Sequence, residues 1–249
     1  MKLNTGVLLG LMMFLEYFIW GSWYVTLSGY MEANLGSSAK EIGSAYMALA
    51  IATMISPFFV GMIADRFFPA QRIMGVLHIV GAILLFIATQ TGSNLVFWVI
   101  VLLYSLVYMP TIALSNSVAF AQMNDPGRQF PWIRVFGTLG WIVAGLMLAW
   151  LHIGGTGSSF VMAATASAVL GLFSFVLPNT PPVARGQVTT AAKAFGADAL
   201  VLFKSRPYLV FFIAAILVCI PLSFYYGFAY LFLDASGMPD AEGKMIFGQ

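Results

Sequence analysis

The sequence predicts an all-α integral membrane protein on three observations. The chain is too poor in charge to cover a water-facing surface, it holds seven apolar runs of bilayer-spanning length, and its basic residues gather in alternate connections. Hydrophobic residues make up 61% and charged residues 8% of the 249 positions, whereas a soluble domain is about a quarter charged. The net charge of +2 points to no nucleic-acid partner. The informative quantity is where the charges lie.

A helix needs about 20 mostly apolar residues to cross roughly 30 Å of hydrocarbon, because lipid offers no partner to backbone N–H and C=O groups. The first run, 6–31, is preceded by one basic residue, Lys2. It is too long for the apolar part of a cleavable leader and no A-x-A site follows, so it reads as a retained helix. The runs 41–64, 73–90, 95–122, 131–152 and 159–178 follow, and 207–233 is the seventh. Short polar or Gly-rich breaks separate them, as at 89–94, 124–129 and 154–157. The one long break, between Pro178 and Pro207, holds Pro181, Pro182, Arg185, Lys193, Lys204 and Arg206. Within it Phe195, Ala199, Leu202 and Phe203 fall on one helical face, which predicts a short helix lying in the membrane interface with Lys193 and Lys204 toward headgroups. A connector with a single helical turn is the alternative.

Basic residues favour the cytoplasmic side of a membrane. With the N-terminus in the cytoplasm, all of the eleven Lys and Arg except Lys40 and Lys244 fall on that side. The layout is therefore six helices (1–178), a basic cytoplasmic loop (179–206) and one further helix (207–249). Transporters built from two six-helix halves share this layout, and the expectation is that the chain stops after the first helix of the second half.

Between the second and third runs the chain reads Gly61-Met-Ile-Ala-Asp65-Arg66, followed by Phe67, Phe68, Pro69 and Arg72. This resembles the G-x-x-x-D-R signature of the major facilitator superfamily, although phenylalanines and a proline replace the usual basic residues that follow. Gly61 would allow close helix contact, and Asp65 at the membrane edge could meet a cation or a helix N-terminus. The resemblance implies a latch holding the two halves together on the cytoplasmic side; a plain interfacial charge pair is the alternative. Three further stretches, Phe18-Ile-Trp20-Gly21-Ser22-Trp23, Tyr108 to Phe120 and Phe130 to Trp141, resemble the bacterial nucleoside:proton symporters of that superfamily. That similarity runs over essentially the whole chain. It implies a major facilitator fold with a six-helix N-domain plus the first helix of the C-domain. It also implies location in a bacterial inner membrane, and nucleoside uptake driven by the proton gradient with no cofactor.

Arg134, Thr138 and Trp141 stand at i, i+4 and i+7, hence on one helix face. An arginine about one turn inside the membrane is expensive and normally faces a cavity or a partner; snorkelling to the interface is the alternative. A guanidinium fork can hold ribose or base oxygens, and an aromatic ring can stack on a flat base. By resemblance Arg134 and Thr138 fall on substrate-contacting positions, and Trp141 falls where the family has an aromatic. In the seventh run the family's amide pair is replaced by Ser223 and Tyr226, which offer fewer and differently placed hydrogen-bonding groups. Tyr230 shares their face. These substitutions imply a retained site with altered preference.

Glu16 is the acid placed well inside a span. It is a candidate either for proton coupling or for counter-ion to Arg134, with Trp20 and Trp23 on its face. Tyr104, Tyr108, Thr111 and Ser115 form a polar stripe with Asn116 beside it, serving packing or a pore. His78 and His152 look isolated, without a carboxylate or thiol at ligand spacing, so no metal is expected. Cys219, the sole cysteine, allows no intrachain disulfide and reads as a small buried side chain. Neither a phosphate-binding loop nor a catalytic triad or H-E-x-x-H motif occurs, which disfavours an ATPase or a membrane hydrolase. Two alternatives accompany nucleoside transport: a major facilitator carrier of a sugar or other small polar solute, and a non-transporting membrane fragment or partner subunit.

Overall fold

The computed structural model describes residues 3–182 and 197–237. Among them, seven helical stretches are long and apolar enough to cross a membrane. The first is interrupted: α1 (Leu3–Trp23) and α2 (Leu27–Leu35) are joined by a turn at Tyr24, Val25 and Thr26. Then come α3 (Ala39–Arg66), α4 (Ala70–Ala88), α5 (Asn94–Ala121), α6 (Pro126–Trp150) and α7 (Gly157–Ser174). A 3-10 helix (Ala197–Lys204) precedes α8 (Arg206–Ala235).

Local chemistry sets several of these ends. Gly36 closes α2 in the left-handed region at φ 60°, a conformation glycine adopts without a Cβ penalty. Its N–H donates to the Glu32 carbonyl at 3.2 Å, and the Ser37 N–H donates to Met31 at 3.0 Å. At the start of α3 the Ser38 N–H donates to Glu41 Oε2 at 2.8 Å, while the Glu41 N–H donates to Ser38 Oγ at 3.4 Å. That is a reciprocal cap. Asp125 caps α6 by accepting from the Arg128 N–H at 3.3 Å, with Pro126 in the first turn, where its missing donor costs nothing.

Lipid reverses the usual placement of side chains. Val80, Ile83, Phe86, Leu139, Ile142 and Leu172 point outward, whereas Glu16, His78, Ser105, Thr111, Ser115 and Ser167 lie inside the bundle at 1% exposure or less. No hydrophobic force draws helices together within hydrocarbon, so small residues that let backbones approach become the adhesive. Helix α1 packs against α6 and α7, α4 against α5 and α7, and α3 against α5. At the α1–α6 seam, a Cβ added to Gly140 would collide with the Phe14 carbonyl. Between α4 and α7, a Cβ on Gly75 would sit 3.0 Å from the Gly171 oxygen.

Among the described residues, α8 meets the bundle around Tyr226–Leu231, against α2, α3 and the Trp141 ring of α6, and its preceding turns are largely exposed. Cys219 is therefore exposed rather than buried, as no helix among the described residues covers that face. The expected interfacial helix is a 3-10 turn over Ala197–Lys204. It folds back on α8, with the Phe203 ring 5.5 Å from Tyr208 and 4.8 Å from Phe212. Lys193 and Phe195 lie outside the described residues. The chain just after the sixth span also stays on the bundle: Thr180 N–H donates to Gln71 Oε1 at 2.9 Å and Gln71 Nε2 donates to Asn179 at 3.0 Å. Gly61 has no described atom near enough to meet a Cβ, so the close helix contact expected there is not present among the described residues. The Asp65 side chain is likewise outside them, and Arg66 ends α3, half-buried.

Candidate functional site

The crossing of α1 and α6 sets Arg134 and Trp141 of α6 against Tyr17 and Trp20 of α1. Close approach at Gly137 and Gly140 lays α6 against the Phe14–Tyr17 stretch of α1. Arg134 then lies over the face of Tyr17, its Cζ 3.9 Å from the ring centroid. A cation held on a π face is stabilised by the ring quadrupole, more strongly when water is excluded. Arg134 is half-buried.

Two turns further along α6, Trp141 joins an aromatic cluster drawn from three other helices and the α1–α2 turn. Its ring meets Trp20 edge-on at 5.7 Å, Tyr226 at 5.8 Å and Tyr24 at 6.5 Å. Tyr24 in turn lies 5.6 Å from Tyr226 and 5.5 Å from Tyr46. The Tyr46 hydroxyl fastens this end, donating to the Tyr24 carbonyl at 3.0 Å and lying 3.4 Å from the Tyr226 carbonyl. Trp20 Nε1 is buried and has no hydrogen-bond partner among the described residues. Chemically, these side chains offer a cation at one end, flat π surfaces beyond it, and an indole N–H without a fixed acceptor among the described residues.

Thr138 sits on the same face of α6 and is exposed. Tyr226 enters the cluster, but Ser223 is exposed and takes no part in it. The Tyr230 side chain is outside the described residues. Sequence reasoning missed Tyr17, Tyr24 and Tyr46 as site residues. Tyr17 stands directly after Glu16 and Tyr24 seven residues from it, so the aromatic spacing of the first span carried the signal.

The polar residues of the interior form a second centre. Glu16 does not pair with Arg134. Its Oε2 lies 2.9 Å from His78 Nε2, and its Oε1 accepts from the Thr111 hydroxyl at 2.7 Å. His78 Nδ1 lies 3.2 Å from Ser167 Oγ, whose hydroxyl donates to the His78 carbonyl at 2.8 Å. The Tyr108 hydroxyl donates to the Glu16 carbonyl at 2.7 Å. His78 is thus not isolated: α1, α4, α5 and α7 meet where it stands, although 62 residues separate it from Glu16. The α5 stripe of Tyr104, Tyr108, Thr111 and Ser115 is fully buried, so it packs the interior rather than lining an open pore. Asn116 beside it is half-buried, with Oδ1 lacking a partner among the described residues. A separate cleft of about 370 Å³ between the starts of α3 and α5, lined by Met31, Glu41, Ser44, Asn94, Leu95 and Trp98, shares no residue with either centre.

Known proteins resemble this chain over nearly its whole length. A family model described as nucleoside H+ symporter matches residues 3–249. The putative nucleoside transporter YegT of Escherichia coli is 44% identical over 254 residues, covering 99% of this chain and 59% of that protein. The xanthosine permease of Escherichia coli is 38% identical over 221 residues, covering 87% of this chain and 53% of the permease. Among solved structures, a variant of nucleoside transporter NupG superposes with a TM-score of 0.86 at 30% identity, covering 98% of this chain and 64% of that one. The chain therefore spans between half and two thirds of the length of these relatives.

Proposed function

The chain belongs to the nucleoside H+ symporter family, whose members are transporters rather than enzymes, and from that premise we propose that it builds one wall of a proton-coupled nucleoside carrier. The observation that supports this most is the convergence of Arg134 over Tyr17 with the Trp20, Tyr24, Trp141 and Tyr226 rings inside a membrane bundle. A nucleoside has a flat base and a polyhydroxylated sugar. Rings of this kind stack on the first, and a guanidinium fork with the Thr138 hydroxyl holds the oxygens of the second. The Trp20 N–H supplies a donor for a base acceptor.

Transport then proceeds by alternating access in the inner membrane with the N-terminus in the cytoplasm. The Tyr24–Tyr46–Tyr226 contacts between the α1–α2 turn, α3 and α8 close the outer end. The Gly61, Asp65 and Arg66 segment lies at the opposite end, where the superfamily latch would act. Substrate and proton enter together, and the proton gradient supplies the driving force, so no cofactor is needed.

The test is uptake of radiolabelled nucleosides by cells expressing the complete gene, with and without a protonophore. Accumulation that collapses on adding the protonophore is the expected result. Absence of uptake across the common nucleosides, together with accumulation of a sugar or other small polar solute, would overturn the proposal.

A further inference from the structure

Glu16 and His78 are the acid and base closest to one another among the described residues, at 2.9 Å and at most 1% exposed. A structural ion pair would explain the distance, but the groups at its two ends fit a different role. Each end of the pair stops at a hydroxyl that faces two acceptors. Thr111 Oγ1 lies 2.7 Å from Glu16 Oε1 and 2.6 Å from the Tyr108 carbonyl. Ser167 Oγ lies 3.2 Å from His78 Nδ1 and 2.8 Å from the His78 carbonyl. A hydroxyl has one proton to give and lone pairs to receive, so each can serve only one of its acceptors fully at a time.

That choice matters because a carbonyl never donates. When His78 Nδ1 carries a proton, it donates to Ser167, and Ser167 turns its own proton to the carbonyl. When Nδ1 is bare, Ser167 turns and donates to it. At the other end, Thr111 donates to an ionised Glu16. If Glu16 Oε1 is protonated, it donates to Thr111, and Thr111 turns to the Tyr108 carbonyl. A proton can therefore arrive at or leave the pair while the Glu16–His78 bond survives and no heavy atom moves. Burying a charge without such compensation is costly.

The geometry points to the Glu16–His78 pair as the proton-binding site of this chain, with Thr111 and Ser167 as the hydroxyls that accommodate the change of protonation. The inference rests on the proton-coupled reading above and deepens it by naming where the proton sits. The proton comes from water and returns to it, so no other reactant is required. The groups facing the pair are few. From α1 and α6 come Tyr17 and the Arg134 guanidinium over its ring, and Glu16 lies within electrostatic reach of Tyr17. From α5 come Tyr104 and Tyr108, both also within reach of Glu16. From α7 comes Ser167, which carries no charge. Arg134 is the one cation in this set, and it belongs to the substrate lining. Loading of the pair changes the field at Tyr17, and through that ring the hold on Arg134.

The experiment compares gradient-driven accumulation with substrate exchange, which moves no net proton, using the complete transporter in proteoliposomes. In Glu16→Gln the ratio of accumulation to exchange falls to that of uncoupled equilibration, and in Thr111→Val the pH dependence of uptake shifts. A Glu16→Gln protein that accumulates nucleoside with the wild-type pH dependence overturns the inference. Because Glu16→Gln could fail to fold, the ring nitrogens of His78 are also followed by NMR in protein of wild-type sequence, with the His152→Asn protein assigning the signals. A His78 titration whose midpoint moves in Thr111→Val supports the inference, and ring shifts unchanged between about pH 5 and 9 overturn it. Wild-type protein that accumulates no nucleoside under a pH gradient would instead refute the parent reading, and the His78 titration would still decide the pair.

Discussion

Tyr17 stands between the two charged centres of the bundle, with the Arg134 guanidinium 3.9 Å from its ring centroid and Glu16 one residue earlier in the chain. The side chains of the proposed substrate site are aromatic rather than acidic, which sets the expected cost of removing them. Loss of one base-stacking ring is worth about 1–3 kcal/mol, and about 1.4 kcal/mol is a tenfold change in affinity. Trp141→Ala is therefore expected to raise the KM for nucleoside by roughly five- to a hundredfold, with smaller loss of maximal rate, measured by uptake at graded substrate. Sequence alone placed Arg134, Thr138 and Trp141 on one face, because 3.6-residue periodicity is local. It could not place His78 against Glu16, because that contact depends on how four helices meet.

At the scale of elements, the α1–α6 seam positions the site. Gly140 lets the α6 backbone sit against the Phe14 carbonyl, and no rotamer change can relieve a clash between a Cβ and a backbone oxygen. Overpacking a close contact costs about 1–3 kcal/mol or more. Gly140→Ala is expected to lower the thermal unfolding midpoint in detergent and to weaken nucleoside binding with it, since Arg134 and Trp141 flank that glycine. An unchanged midpoint with full binding would show that the seam does not set the site. Helix existence was legible from apolar run length, and most ends fell within a few residues of the structure. The α1–α2 interruption was not legible, because Tyr24, Val25 and Thr26 are as apolar or as small as their helical neighbours. The burial assigned to Cys219 failed for a related reason. An apolar run in a membrane protein records contact with lipid as readily as contact with protein.

Across the described residues, polarity runs inward and the apolar surface runs outward, so composition and span length alone point to the architecture. Motifs disclosed the family, and the chain's match over residues 3–249 bears that out. Chemistry on the α8 side of the site was less legible. Tyr226 joins the aromatic cluster while Ser223 stays exposed, a difference set by where α8 touches the bundle rather than by residue type. The central claim is that nucleoside and proton move together. Its most direct measurement adds a nucleoside to lightly buffered, de-energised cells expressing the complete gene and records external pH. A transient alkalinisation that depends on the nucleoside and vanishes with a protonophore is the predicted result. Nucleoside entry with no accompanying proton movement would contradict the account.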